Sequence, residues 1–229
     1  MNFNPKIVTD GLVLCLDAAD KKSYSGSGAT WYDRSGNDLD GTLENSVAFS
    51  DANGGCLVLD GVDDYISVGD VGTNSIKTVI CWFSMDNVQT NMALFGFGTD
   101  SPNTQDVYMW AGDNSGPFGF NHWNGDSWGY LGEDDIKNQG FFQVIAEFDF
   151  SNYYNNKLWV NGVSKTLSNQ RGSNVQRDQS SNFGIGYNGW NTHNQIWNGN
   201  IAAVLVYDRA ISAAEVLQNF NAMRGRFGV

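Results

Sequence analysis

Apolar residues recur along this chain in short runs that are separated by clusters of Gly, Asn, Asp and Ser. In some runs apolar and polar positions alternate, as in YISV at 65–68, which is the pattern of a strand with one buried face. Others, such as TVICWFSM at 78–85, are almost wholly apolar and are typical of strands buried on both faces. Together the runs predict strands at 12–16, 48–50, 56–59, 65–68, 78–85, 93–97, 107–110, 118–120, 141–150, 157–160, 183–187 and 201–207.

One stretch near the end of the chain has helical periodicity instead. In SAAEVLQNFNAM at 212–223, Ser212 and Glu215 have the spacing of a capping box. Val216, Leu217 and Phe220 are expected to share one helical face. The sequence therefore predicts a single amphipathic helix that closes the chain.

These elements define a fold class. Strands without helices between them cannot form a parallel α/β sheet, whose crossovers need helices. The predicted fold is all-β: a two-sheet antiparallel jelly-roll sandwich with one short C-terminal helix. With no linker or repeat in the sequence, we expect one domain over residues 11–225, an N-terminal extension at 1–10 and a tail at 226–229.

Two hairpins can be predicted together with their register. In KLWVNGVSK, Asn161 and Gly162 suit the two central positions of a type I′ turn, which pairs Val160 with Val163. In FGFNHWNGDSWGY at 118–130, a second Asn-Gly pair predicts a turn with Asn121 opposite Trp128.

The second hairpin would divide its side chains between two faces, because alternate residues of a strand point to opposite sides. One face has the pattern of a core and holds Phe118, Phe120, His122 and Leu131. The other resembles an aromatic platform edged with amides and a carboxylate, and holds Asn121, Trp123, Asp126, Trp128 and Tyr130.

Composition and charge narrow the partners. A chain of 229 residues that is 41% hydrophobic can bury a sizeable core. Its formal net charge of −12 works against binding to nucleic-acid phosphates. The first ten residues contain no apolar signal-peptide core, and no window matches the ~18 apolar residues of a membrane span. We expect synthesis in the cytoplasm, no nucleic-acid partner and no membrane insertion.

The three cysteines, Cys15, Cys56 and Cys81, all lie inside apolar runs. An odd number of cysteines argues against a disulfide framework. We expect buried free thiols, with no cationic neighbours that would activate a thiolate.

A catalytic role finds little support in the residues. Glu147 and Asp149 come nearest to the carboxylate pair of a glycosidase, but no second glutamate follows on their strand. We therefore expect both on the solvent face of a strand. His122 and His193 accompany no nucleophile motif and no zinc spacing. No catalytic residue is predicted, and the protein is not expected to be an enzyme.

Oxygen ligands for calcium are more plentiful. The loop DRSGNDLDG carries Asp33 and Asn37 at a spacing that could surround an ion, and Asp60 could approach from the turn in VLDGVDDYI. These three residues are the candidate ligands of a structural calcium ion. The alternative is a plain turn in which Asp33 caps backbone amides, with Asp63 and Asp64 in solvent at their own turn.

Glycan binding is suggested by the aromatic residues, which make up 14% of the chain. An exposed indole can stack on a sugar ring while neighbouring polar side chains bond its hydroxyl groups. The alternative is that the tryptophans cover the ends of the sandwich or a subunit interface of a homo-oligomer. The candidate carbohydrate-binding residues are Trp123, Trp128, Tyr130, His122, Asp126, Trp190 and His193.

Five stretches match a known family in order along the chain. They are GLVLCLDAAD (11–20), WYDRSGNDLDGTL (31–43), LVLDGVDDYISV (57–68), KLWVNGV (157–163) and WNGNIAAVLVYDRAISAAEV (197–216). Together they resemble the laminin-G-like, concanavalin-A-like jelly-roll domains, many of which hold calcium at a sheet rim. The opening KIVTDGLVLCLDAAD with SGSGATWYDRSGN is similar to the version found in structural proteins of tailed bacteriophages, especially marine ones.

The resemblance implies a function. It implies a non-enzymatic protein of a phage virion surface, such as a capsid decoration or a fibre component, made in the host cytoplasm. Its partners would be other virion proteins and glycans on a cell surface. The alternatives are a free carbohydrate-binding lectin and a polysaccharide-acting glycoside hydrolase or lyase.

Overall fold

The computed structural model describes residues 5–72, 76–86, 92–98, 107–111, 118–122, 127–130, 140–167, 182–188 and 195–229. All twelve predicted strands are present in this part of the chain, together with four short ones, β2, β3, β11 and β14. The strands are β1 (Leu12–Asp17), β2 (Thr30–Trp31), β3 (Gly41–Glu44), β4 (Ala48–Ser50), β5 (Cys56–Asp60), β6 (Tyr65–Asp70), β7 (Ile76–Met85), β8 (Met92–Gly98), β9 (Val107–Ala111), β10 (Phe118–His122), β11 (Ser127–Tyr130), β12 (Phe142–Asp149), β13 (Lys157–Val160), β14 (Val163–Lys165), β15 (Asn182–Ile185) and β16 (Asn198–Tyr207).

The strands form two antiparallel sheets. Sheet A has the order β14-β13-β12-β7-β16-β5-β4, with β1 also paired to β16, and sheet B has the order β11-β10-β9-β8-β15-β6-β3-β2. Consecutive strands such as β5 and β6 alternate between the sheets, as in a jelly roll. The predicted two-sheet sandwich is confirmed.

Strand β16 is the centre of sheet A. Its first half, Asn198 to Ile201, pairs with β5, while Ala203 to Tyr207 pair with β1 along the same edge. Its other edge pairs with β7 along nearly the whole strand, with one irregularity between Ile201 and Ala203. The backbone hydrogen bonds of β16 are therefore made on both edges. A central strand of this kind is buried on both faces, in agreement with its continuous apolar run IAAVLVY.

The core lies between the sheets and is largely aromatic. Phe148 of β12 contacts the rings of Phe95, Phe97 and Phe120 from sheet B, at centroid distances of 5.0–6.3 Å and interplanar angles of 71–86°. Edge-to-face contacts of this kind add stabilisation beyond that of apolar burial. Phe120 of the predicted core face is fully buried here.

Helix α1 (Ala213–Phe227) covers the outer face of sheet A. It begins with the predicted capping box, in which Ser212 accepts from the Glu215 amide and Glu215 accepts from the Ser212 amide. Its apolar face contacts β7, where the rings of Phe220 and Phe227 stack on Trp82 at 5.9 and 4.3 Å. Val216 is buried on this face as predicted, but Leu217 is exposed, so its predicted place on the buried face is wrong. No helix among the described residues is long and apolar enough to cross a membrane.

The segment before β1 also lies against α1. The Val8 amide donates to Asn219 Oδ1, and the Lys6 carbonyl accepts from Gln218 Nε2. The buried hydroxyl of Tyr207 donates to the Val8 carbonyl. The first described residues and the last helix therefore share one face of the sandwich.

The two predicted hairpins have different outcomes. Val160 pairs with Val163 as predicted, and the positive φ of Asn161 (49°) and Gly162 (75°) is that of a type I′ turn. In the second hairpin Trp128 pairs with Phe120 rather than with Asn121, so the predicted register is wrong by one residue. A shift of one residue exchanges the faces of the shifted strand, because side chains alternate with a period of two.

The cysteines are free thiols. Cys56 and Cys81 are buried as predicted, whereas Cys15 is only partly covered. Burial, reinforced by nearby Asp17 and Asp33, raises the pKa of Cys15 to about 12. Its thiol therefore stays protonated at neutral pH and is unreactive.

Candidate functional site

The predicted aromatic platform falls mainly outside the described residues. Four of its residues lie outside them: Trp123, Asp126, Trp190 and His193. The other three lie in β10 and β11, which are described by their backbone: His122, Trp128 and Tyr130. The predicted face division of this hairpin rested on pairing Asn121 with Trp128, and Asn121 is opposite Ser127 instead. The platform stays a prediction, and its original register is corrected.

The three candidate calcium ligands do not come together. Asp33 lies beside β1, where its Oδ1 accepts from the Cys15 amide at 2.8 Å, and Cys15 is opposite Leu205. Asp60 is opposite Asn198, seven residues away along the same strand. Seven residues of a strand span roughly 23 Å, so one ion cannot contact both Asp33 and Asp60.

Asp33 instead organises its own loop. Its carboxylate accepts hydrogen bonds from the amides of Cys15, Ser35 and Leu39 and from the Ser35 hydroxyl. Asn37 donates to the carbonyl of Val13. The plain turn that the sequence left open as the alternative matches this arrangement, with Asp33 capping backbone amides.

Asp60 belongs to a separate acidic turn. Carboxylate oxygens of Asp60, Asp63 and Asp64 all lie within 4.8 Å of one another. Asp60 Oδ1 accepts from the amides of Val62 and Asp63, and Asp63 is exposed. Asp64 was expected in solvent, but its side chain is turned inward, and the residue is only 5% exposed with no hydrogen-bond partner for Oδ1 among the described residues. Burial and the charge of Asp60 raise the pKa of Asp64.

A surface groove opens on the outer face of sheet A, beside the connection between β16 and α1. Its volume is about 480 Å³, within the range of small-ligand sites. Most of its wall is formed by β12, β13 and the loop between them. Glu147 points to this side because it is two residues after Ile145, which lies on the outer face of sheet A. The groove is lined by Ile76, Glu147, Asp149, Tyr154, Asn155, Asn156, Lys157 and Ala210.

Asp149 holds the loop that forms one wall of this groove. Its Oδ1 accepts from the amides of Ser151 and Asn152 and from the Ser151 hydroxyl, and its Oδ2 accepts from Asn155 Nδ2 at 2.9 Å. Burial alone would raise the pKa of Asp149, but these hydrogen bonds outweigh it and lower the pKa. Asp149 is thus an ionised structural group.

Glu147 lies deeper in the groove. Its Oε1 forms an ion pair with Lys157 Nζ at 2.7 Å, while Oε2 is buried without a hydrogen-bond partner among the described residues. Asn156 is similar: its Oδ1 accepts from the Asp149 amide at 2.8 Å, and its buried Nδ2 has no partner in the described part. Glu147 is 3% and Asn156 6% exposed. The expectation that Glu147 and Asp149 face solvent is therefore wrong.

Sequence reasoning missed Asn156 and Tyr154. Both lie in the loop SNYYNNK, which interrupts two strong strand patterns and carries several amides and aromatic rings. That density of hydrogen-bonding groups was the available signal. Their approach to Glu147 depends on the pairing of Glu147 with Lys157 across the hairpin.

The fold and the groove define a class of protein, a two-sheet jelly-roll sandwich with a polar surface groove. The chain belongs to the concanavalin A-like lectin/glucanases superfamily, whose Laminin_G_3 model matches residues 60–217. No curated protein matches the chain.

Solved structures share this fold at low sequence identity. Trypanosoma rangeli sialidase in complex with 2,3-difluorosialic acid matches with a TM-score of 0.70 at 16% identity, covering 96% of this chain and 34% of that one. Domain 4 of AbnA, a GH43 extracellular arabinanase from Geobacillus stearothermophilus, in complex with arabinotriose, matches with a TM-score of 0.62 at 20% identity, covering 92% and 98%. The binding domain of Paraclostridial Mosquitocidal Protein 1 matches with a TM-score of 0.61 at 16% identity, covering 93% and 52%. This chain thus spans about a third of the sialidase.

Proposed function

We propose that this protein is a non-enzymatic, lectin-like glycan-binding protein. Its superfamily contains lectins and glucanases, so binding and hydrolysis are the two functions to separate. Glycoside hydrolysis requires two carboxyl groups. One gives a proton to the leaving group, and the other either attacks the sugar or activates a water molecule.

The observation that carries the proposal is the state of Glu147 and Asp149. Among the described residues, the hydrogen bonds that the Asp149 carboxylate accepts come from the loop it holds, and Glu147 is paired with Lys157. An ionised Asp149 has no proton to give as an acid. The hydrogen bonds that its two oxygens accept also make it a poor nucleophile. This arrangement supports binding over catalysis. The match to an arabinanase domain in complex with arabinotriose supports a glycan as the ligand class.

The primary glycan site that we propose is the aromatic platform of the β10–β11 hairpin. Trp123, Trp128 and Tyr130 are the candidates for stacking on sugar rings, with His122, Asp126, Trp190 and His193 around them. Because Trp128 pairs with Phe120 and not with Asn121, the platform is proposed as this set of residues at the hairpin, without the shared face that the original register gave them. Indole rings bury large apolar areas at little conformational cost, which suits them to this task.

A glycan array followed by calorimetry tests this proposal. The double variant Trp123→Ala/Trp128→Ala should lose binding, while Tyr32→Ala, which removes a half-exposed ring from another loop, should retain it. Reducing-end assays on algal and bacterial polysaccharides form the second arm. If no sugar binds at millimolar concentration, the glycan proposal is wrong. If a polysaccharide is hydrolysed and the turnover depends on Glu147, the protein is an enzyme and the non-enzymatic proposal is wrong.

We also propose that the protein acts on the surface of a phage particle, as a capsid decoration or fibre component bound to other virion proteins. The support is the resemblance of the segment from Lys6 to Asn37 to phage structural proteins. Mass spectrometry of purified virions and immunogold labelling test it. The chain should be present in intact particles and labelled on their exterior, and its absence from particles would leave a free lectin.

For calcium, the observations favour the acidic turn over Asp33. Oxygens of Asp60, Asp63 and Asp64 converge there, and Asp64 Oδ1 is buried without a partner among the described residues. Three close carboxylates with one unpaired oxygen suit a hard divalent cation. We propose this turn as the place where a structural calcium ion binds.

A further inference from the structure

The groove beside β12 and β13 contains two buried groups that lack hydrogen-bond partners among the described residues. One is an acceptor, Glu147 Oε2, and the other is a donor, Asn156 Nδ2. Buried polar groups in folded proteins are nearly always paired, so an unpaired donor and an unpaired acceptor in one groove are informative. A ligand that offers both a donor and an acceptor would satisfy the two together.

The fold holds both groups in place. Asn156 is fixed through its Oδ1, which accepts from the Asp149 amide, and the backbone of Glu147 is fixed by the pairing of β12 with β13. The loop between them is fixed by the four hydrogen bonds that Asp149 accepts. Side chains positioned in this way need little rearrangement when a ligand arrives, which favours binding.

The groove also has an entrance with the features of a binding site. Tyr154 lies at its wall and is 49% exposed, so its ring can cover the apolar face of a ligand. The Lys157 side chain is 56% exposed and is paired with Glu147. It can move aside while its ammonium group stays hydrated.

The charges of the groove select the ligand. Of the residues that line the groove, Glu147 and Asp149 carry carboxylates and Lys157 carries an ammonium group. An anionic ligand would add to the repulsion, whereas hydroxyl groups donate and accept without charge.

We propose that this groove is a second binding site, for the hydroxyl-bearing edge of a neutral sugar. One hydroxyl group would donate to Glu147 Oε2 and a neighbouring one accept from Asn156 Nδ2, while the Tyr154 ring covers the sugar face. The choice of a sugar among polyhydroxylated ligands rests on the proposed glycan-binding function. The site itself is on sheet A, whereas the aromatic platform is on sheet B.

Amide NMR of the full chain tests the groove with methyl glucoside, methyl galactoside and methyl arabinoside at tens of millimolar. Neutral sugars should shift the resonances of residues 147–157, and glucuronate should shift them less. Tyr154→Ala should weaken binding by roughly tenfold. Glu147→Gln should weaken it several-fold, because a charge-assisted hydrogen bond is lost.

Two controls separate this site from the platform. Tyr32→Ala removes a ring with matching exposure elsewhere and should leave the groove shifts unchanged. Trp123→Ala/Trp128→Ala should also leave them unchanged while removing binding at the platform. The unfolding temperature of each variant shows whether it is folded.

The outcomes are distinct. Shifts confined to the β10–β11 hairpin would overturn the groove and leave the proposed function standing. Shifts confined to residues 147–157 would support the groove and overturn the platform. If no neutral sugar shifts the groove resonances of the folded protein, the second site does not exist.

Discussion

Arg226 Nη1, on the last turn of α1, donates to Asp17 Oδ1 at 2.6 Å, so the end of the helix is tied to the end of β1. The same guanidinium group donates to the carbonyls of Asn53 and Gly55, between β4 and β5. One side chain thus joins three segments that are far apart in the sequence.

Arg226→Ala should lower the free energy of unfolding by about 2–3 kcal/mol, because a partly buried carboxylate and two carbonyls lose a charged donor. Urea denaturation measures this. Arg224→Ala on the same turn, where the guanidinium group lies over the Phe220 ring, should cost less than about 1 kcal/mol. Equal effects of the two variants would contradict the role of Arg226.

Glu215 should give the stability a dependence on acidic pH. Hydrogen bonds from Arg209 and Ser212 lower its pKa to about 2. A carboxyl group whose pKa is lower in the folded state stabilises the fold above its unfolded pKa, and this contribution is lost as the pH falls toward 2. Glu215→Gln should therefore reduce stability at pH 7 by ~1–2 kcal/mol, allowing for partial exposure, and should flatten the curve between pH 5 and 2. Melting temperatures across this range measure both effects.

Asp64→Asn should stabilise the protein when calcium is absent. Burial and the neighbouring charge of Asp60 raise the pKa of Asp64, so its ionised form opposes folding at neutral pH. This cost decreases as the pH falls through the raised pKa and is gone below the pKa of the unfolded chain. We expect a gain of about 1 kcal/mol in chelator. Calcium should raise the melting temperature of the original protein and leave that of Asp64→Asn unchanged. A calcium shift that survives in Asp64→Asn but disappears in Asp33→Ala would place the ion at the Asp33 loop instead of the acidic turn.

Lys77→Met should raise the melting temperature. Lys77 is fully buried opposite Phe148, its Nζ has no hydrogen-bond partner in the described part of the chain, and burial lowers its pKa. Replacing a buried, unpaired amine by an apolar side chain of similar length should gain about 1–2 kcal/mol. The matched change at exposed Lys22 should be neutral. A loss of stability at position 77 would show that the ammonium group is paired after all.

Much of the fold could be predicted because period-two patterns and turn residues act locally. The runs at 48–50 and 157–160 became β4 and β13 with the predicted bounds. The strands Thr30–Trp31 and Gly41–Glu44 were missed because two to four residues are too few to show an alternation of apolar and polar positions. The β10–β11 register was wrong because the Asn-Gly pair indicated a two-residue turn, whereas five residues lie between Asn121 and Ser127, the observed pair nearest the turn.

The candidate sites were harder to predict because they depend on pairing between distant strands. The turn of Asp60 was expected beside the Asp33 loop, yet Asp33 is bound to β1 and Asp60 ends β5, and these two strands pair with opposite halves of β16. Glu147 and Asp149 alternate like solvent-facing residues, but the loop at 150–156 folds over them. Neither fact follows from the local pattern of either strand.

The central position of β16 has a consequence for how the protein is made. In the described part of sheet A, β5 and β7 are joined through β16, which is made after both of them. Until then the two halves of sheet A carry unpaired apolar edges, which are prone to pair with other chains. A chain cut short before Asn198 would therefore be expected to aggregate rather than fold.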